Sequence, residues 1–170
     1  MKKIVFVTAP KTFRDEEYIE PKEILEQAGI QVTTASTVIG EIFGKIKIKA
    51  QSQMLVTDIK VEDFDGIFFV GGMGSAIYFD DKFIHKLVWD FYNANKIVSA
   101  ICIAPTILAN SGVLKNKNAT VFPDGADALV AGGANYTSKD VEVDGNIITG
   151  NGPLAAKQFG MVLKNKLLEK

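Results

Sequence analysis

The chain has 170 residues, 47% of them hydrophobic and 23% charged, with a formal net charge of −1. That length and balance predict one soluble globular domain spanning residues 1–170, and the near-neutral charge offers no electrostatic footprint for nucleic acid or an anionic membrane. A single cysteine, Cys102, excludes an internal disulfide and a thiolate-rich zinc site, and a single histidine, His85, argues against an imidazole metal site.

The first segment, Lys3–Thr8, is short and almost wholly apolar, as a strand covered on both faces should be. It is too short for a signal peptide or a membrane span, so the expected home is the cytoplasm. An amphipathic stretch, Glu16–Ala28, follows and predicts a helix ended by Gly29. Its start carries Asp15, Glu16 and Glu17, carboxylates that suit a helix N-terminus. Asp15 and Glu16 are read as solvated charges, while one of the three acids could reach a thiol.

Ile30–Ala35 is the second strand. Lys45, Lys47 and Lys49 alternate with Ile46 and Ile48 and predict the solvent face of a further strand. With Met54–Ile59 this segment reads as a β excursion off the main sheet. The third core strand, Gly66–Val70, runs into Gly71-Gly72-Met73-Gly74. A glycine pair at that point permits unusual backbone angles and close approach by a ligand; a plain turn is the alternative. The segment does not match the dinucleotide-binding fingerprint, and it has no Walker lysine. The next helix, Asp80–Asn95, presents Phe83, Ile84, Leu87, Val88 and Phe91 as one apolar arc. His85 lies off the centre of that arc and is expected at the rim or surface, which gives no support to a Cys–His dyad.

The fourth strand, Ile97–Ile101, ends on Cys102, and a helix follows over Ala104–Ser111. A cysteine on a strand-to-helix turn is a nucleophile elbow, which aims the side chain away from the core and brings helix-start N–H groups near it. The plainer alternative is a buried, inert thiol. In the active reading, the N–H groups of Gly72 and Ile103 form an oxyanion hole. A carboxylic acid with a raised pKa donates to the sulfur, lowers the thiol pKa and titrates with it as a unit. Val141–Thr149 is a hairpin with Asp144-Gly145 as its turn, and Pro153–Leu168 is a closing helix.

Strands alternating with helices predict a three-layer α/β sandwich with a mostly parallel sheet, and sites in such sheets lie beyond the carboxyl ends of the strands. The loops after Thr8, Val70 and Ile101 are then expected to converge on one crevice. Arg14, the only arginine, falls near it and is a candidate contact for an anionic substrate, with a surface position the plainer reading.

With the elbow, the double glycine and the acidic loop in place, the chain resembles the ThiJ/PfpI superfamily. Ala100-Ile101-Cys102-Ile103-Ala104-Pro105 is similar to the family's elbow, and Phe69-Val70-Gly71-Gly72 to its strand and glycine pair. Glu17-Tyr18-Ile19-Glu20-Pro21 is similar to its E-x-x-x-P segment, which selects Glu17 as the acid. The segments Ala131–Tyr136, Val143–Asn146 and Gly150–Pro153 follow in the family's order.

The resemblance implies a flavodoxin-like fold and a homodimer, and the residues themselves indicate no cofactor and no metal. It also implies cysteine chemistry on small carbonyl or amide substrates, of glyoxalase, deglycase or hydrolase type, or stress protection through cysteine oxidation. Cys102 and Glu17 would be the catalytic pair, with Gly71, Met73, Arg14, Phe122 and Asn151 lining the pocket. Three positions depart from the family's pattern. Ile103 stands where protease-type members carry histidine, so protease chemistry is not expected. Phe122 and Asn151 stand where deglycase-type members carry histidine and arginine.

Overall fold

The computed structural model describes residues 1–169, so Lys170, the last position of the expected domain, lies outside the described residues. In chain order the elements are β1 (Lys3–Val7), β2 (Lys11–Phe13), α1 (Asp15–Gln27), β3 (Gln31–Ser36), β4 (Gly40–Gly44), β5 (Lys49–Ser52) and β6 (Met54–Leu55). They continue as β7 (Gly66–Phe69), α2 (Lys82–Asn93), β8 (Ile97–Ile101), α3 (Pro105–Ser111), β9 (Asn118–Ala119) and α4 (Ala126–Ala131). The chain closes with β10 (Asn135–Tyr136), β11 (Val141–Asp144), β12 (Ile147–Gly150) and α5 (Ala156–Leu168).

Seven strands form the central sheet in the order β11-β12-β8-β7-β1-β3-β6. All neighbours are parallel except β11 against β12, a hairpin in which Asp144 pairs with Ile147 and the turn residues are Gly145 and Asn146, one position beyond the expected Asp144-Gly145. This is the flavodoxin-like arrangement that the alternation of strands and helices predicts.

Successive strand residues feed opposite layers. Val5 and Val7 of β1 join Ile67, Phe69, Val98 and Ala100 in the layer covered by α2 and α3. Ile4 and Phe6 join Phe68, Ile101, Leu25 and Phe159 in the layer covered by α1 and α5. Phe159 is fully buried and lies 4.9 Å from the Phe68 ring; burying a side chain of this size stabilises by about 2–3 kcal/mol. Among the described residues no helix is long and apolar enough to cross a membrane.

Three sequence expectations fail here. Lys45–Ile48 is a turn between β4 and β5 rather than part of a strand. The buried Asp15 carboxylate accepts from the N–H groups of Ile46, Lys47 and Ile48, and this long-range cap overrides the local alternation. Met54–Ile59 is not an excursion: Met54-Leu55 pairs with β3 at the edge of the main sheet, and Val56–Asp58 is a 3-10 turn. His85 is buried at 8% exposure, because the chain entering α2 folds over it and its Nε2 lies 2.8 Å from the Phe79 carbonyl oxygen.

Candidate active site at the Cys102 elbow

β8 ends at Ile101 and α3 begins at Pro105, leaving Cys102 on the bend with φ +62°. A non-glycine residue in the left-handed region costs about 1–3 kcal/mol and persists only where the surroundings impose it. Here two backbone bonds impose it. The Cys102 N–H donates to Gly150 O at 2.9 Å, and Cys102 O accepts from the Phe122 N–H at 2.7 Å. The thiol is half-buried.

Glu17, in the first turn of α1, is fully buried beneath the elbow. Neither of its carboxyl oxygens makes a hydrogen bond of standard geometry, although the Cys102 thiol and the Gly71 N–H are their polar neighbours. Gly71 makes the contact sterically possible: a Cβ there would collide with Glu17 Oε2 and stand 2.6 Å from Cys102 Cβ. Gly72, at φ +100°, has the same role one residue on, since a Cβ would lie 2.6 Å from Thr12 O. The Arg14 N–H then donates to Gly71 O at 3.0 Å and ties the acidic turn to the glycine pair.

Burial pushes the Glu17 carboxyl up to about 8, against smaller lowering influences from Cys102 and Arg14. The acid is therefore mainly protonated at neutral pH. Burial also pushes the Cys102 thiol up to about 12, and the charge and close polar contact of Glu17 add to it. The low-pKa thiol expected from the sequence is not what the elbow provides. The Gly72 and Ile103 N–H groups and the Arg14 charge act in that direction, and burial outweighs them. Two such groups in contact lose their protons as a pair, the first with the charge resting mainly on Glu17.

The sulfur opens into a cleft of about 340 Å³ lined by Arg14, Lys45, Gly72, Met73, Cys102, Ile103, Phe122, Asp124 and Pro153. Six of the expected site residues thus stand around it: Cys102, Gly72, Ile103, Met73, Arg14 and Phe122. Glu17 and Gly71 lie behind the sulfur rather than on the wall. Asn151 departs from expectation, because its side-chain amide donates to Asp140 Oδ1 at 3.1 Å and its backbone N–H to Asp140 O. Asp15 also departs, since it is 5% exposed and holds the Lys45–Ile48 turn, while Glu16 keeps a part-exposed side chain and pairs with Arg14 at 2.7 Å. Lys45, Asp124 and Pro153 line the cleft without having been singled out; Lys45 was visible in the sequence only as part of a basic stripe. Among the described residues no group of three or more His, Cys, Asp or Glu could hold a metal ion.

A flavodoxin-like sandwich with a strand-end cysteine over a buried glutamic acid defines a class of α/β protein. Comparison with known proteins makes the assignment specific: the chain belongs to the DJ-1/PfpI family, whose model matches residues 2–166. It is 43% identical over 166 residues to an uncharacterised protein of Methanocaldococcus jannaschii, covering 95% of this chain and 81% of the other. It is 28% identical over 152 residues to a protein of Pyrococcus furiosus named deglycase PfpI, covering 89% and 90%. Among solved structures, a ThiJ/PfpI domain protein from Brachyspira murdochii superposes with a TM-score of 0.95 at 34% identity, covering 97% of this chain and 95% of that one. Drosophila melanogaster DJ-1beta superposes with a TM-score of 0.89 at 29% identity, covering 100% and 92%.

Proposed function

We propose that Cys102 is the nucleophile of a glyoxalase- or deglycase-type reaction on small carbonyl compounds, with Glu17 as its proton carrier. The observation that carries this reading is a fully buried carboxyl group against a thiol that heads an open cleft. A thiol with a high pKa attacks poorly as a free thiolate, so its proton must leave as the new bond forms. Glu17 meets that need: one oxygen takes the thiol proton while the other gives its proton to the carbonyl oxygen. The sulfur–carbon bond forms, the carbonyl π pair moves to oxygen, and the product is a neutral hemithioacetal. The Gly72 and Ile103 N–H groups would hold the oxygen as its charge develops. The relatives named deglycases support this chemistry.

The test is turnover of methylglyoxal and a panel of small amides and esters. Cys102→Ala should fall to the uncatalysed rate, and Glu17→Gln should lose about 100-fold or more, the usual contribution of a positioned acid–base group. Wild type and Cys102→Ala consuming every substrate at one background rate would overturn the reading.

Oxidation sensing by Cys102 is the second reading, favoured by the same two N–H groups, which suit a sulfinate. It ranks lower because peroxide attacks the thiolate, and burial holds the thiol up to about 12. A peroxide-dependent mass gain on Cys102 tests it. We also propose a single-domain cytoplasmic homodimer. Met73, at the cleft, and Leu154, beside the cleft residue Pro153, are apolar side chains left 74% and 102% exposed, which supports a partner copy there.

A further inference from the structure

We propose that the Cys102 cleft selects small electrophiles carrying a carboxylate beside the reacting carbon, and that Lys45 and Arg14 bind that carboxylate. The inference deepens the reading of Cys102 as a carbonyl nucleophile and rests on it.

The two cations reach the cleft from adjoining backbone. The Lys45 N–H donates to Phe13 O at 2.9 Å, so Lys45 is fastened beside the residue that precedes Arg14. Asp15, the next residue in α1, caps the turn that follows Lys45 with bonds to Ile46, Lys47 and Ile48 of 2.9–3.2 Å. Arg14 and Asp15 thus supply one cation and the clamp for the other. Arg14 gives two of its donors, Nε and one on Nη2, to Glu16 and keeps the rest of its fork. It is close enough to the centre to act electrostatically on both Glu17 and Cys102. Asp124 is the one acid on the cleft wall, from a different loop, and with Arg14 already paired to Glu16 the cation there that has no ion pair among the described residues is Lys45. The Glu17–Cys102 pair, buried and pushed up to about 8 and about 12, is mainly uncharged at neutral pH. The remainder of the wall, Met73, Ile103, Phe122 and Pro153, is apolar. In such surroundings a carboxylate gains most from a charge-assisted, geometrically matched partner.

For an oxo acid that bears an aldehyde, the chemistry is the addition already described. The thiol proton passes to Glu17, sulfur bonds to the aldehyde carbon, and the Glu17 proton goes to the aldehyde oxygen. The carboxylate stays ionised on the two cations, and no further reactant is consumed.

Iodoacetate and iodoacetamide separate charge from reactivity, because they differ by a carboxylate against an amide. Both attach a two-carbon group to sulfur and release iodide, and the thiol proton goes to solvent. Cys102 is the only cysteine, so intact mass reports it alone. The readout is the ratio of the two second-order rates, in which the thiolate fraction cancels. In wild type the iodoacetate-to-iodoacetamide ratio should exceed that of 2-mercaptoethanol by about 10-fold, equivalent to one favourable charge contact of about 1.4 kcal/mol. It should fall toward the free-thiol ratio in Lys45→Met, and in wild type at high salt. A wild-type ratio equal to the free thiol's, with iodoacetamide still reacting, overturns this inference and leaves the nucleophile reading standing. So does a raised ratio that Lys45→Met does not change. A thiol that reacts with neither reagent overturns both.

Discussion

Replacing Glu17 with glutamine should make the protein more stable while removing its proton carrier. The magnitude follows from the carboxyl group's displacement from an ordinary value of 4.5 to about 8. Between those two values the folded chain holds a proton that the unfolded chain has released. Stability contributed by this site is therefore intact below about pH 4.5 and falls as the pH rises, by about 1.4 kcal/mol per unit, until it levels off above pH 8. Glutamine keeps the shape of the acid and has nothing to ionise. The variant should match wild type near pH 4, exceed it by about 1 kcal/mol at pH 5 and by about 3 kcal/mol at pH 7. For a chain of this size that last difference is a rise in Tm of roughly 6–12 °C. Urea titrations of both proteins at pH 4, 5, 6, 7 and 8 provide the comparison. A stability gap that stays flat across that range would show that Glu17 ionises normally in the folded state, and the argument for a protonated acid under the sulfur would fail.

Other substitutions probe the supports of the same site. Gly71→Ala places a methyl against Glu17 Oε2 and 2.6 Å from Cys102 Cβ, so it should cost about 2–4 kcal/mol in urea titration and abolish methylglyoxal turnover together. Asp15→Asn keeps the size of the side chain but weakens three bonds to the Lys45–Ile48 turn. Hydrogen exchange at the Ile46, Lys47 and Ile48 amides should speed up by at least about 10-fold, with α5 unaffected. Asp81 caps α2 by accepting from the Phe83 and Ile84 N–H groups, so Asp81→Ala should lower stability by about 1 kcal/mol without changing Cys102 alkylation.

The fold was largely legible because its signals are local. β1, β7 and β8 are short, mostly apolar runs that alternate along the chain with α1, α2 and α3, and that pattern dictates a covered parallel sheet. The nucleophile elbow was legible for the same reason, as a strand that ends on cysteine ahead of a proline-started helix. What escaped detection depends on contacts between distant residues. Asp15 meets the N–H groups of a turn about thirty positions away, and no pattern within Lys45–Lys49 announces it. His85 is buried by the segment that precedes α2, which the apolar arc of α2 alone does not reveal. Asn151 points to Asp140 rather than to the sulfur, a direction that loop order cannot reveal. The sign of the thiol's shift is not legible, because helix-start N–H groups can be read from sequence, whereas the depth of burial that outweighs them cannot.

Arg14, Asp15, Glu16 and Glu17 occupy four consecutive positions, and each is committed elsewhere: to the cleft, a distant turn, the arginine itself and the sulfur. A helix turns by roughly 100° per residue. Adding or removing a single residue in this stretch would therefore turn the side chains on one side of the change out of register with those on the other, and at least one would leave its target. The stretch can tolerate exchange of one side chain for another but no change of length, so any diversification of this quartet must proceed letter by letter.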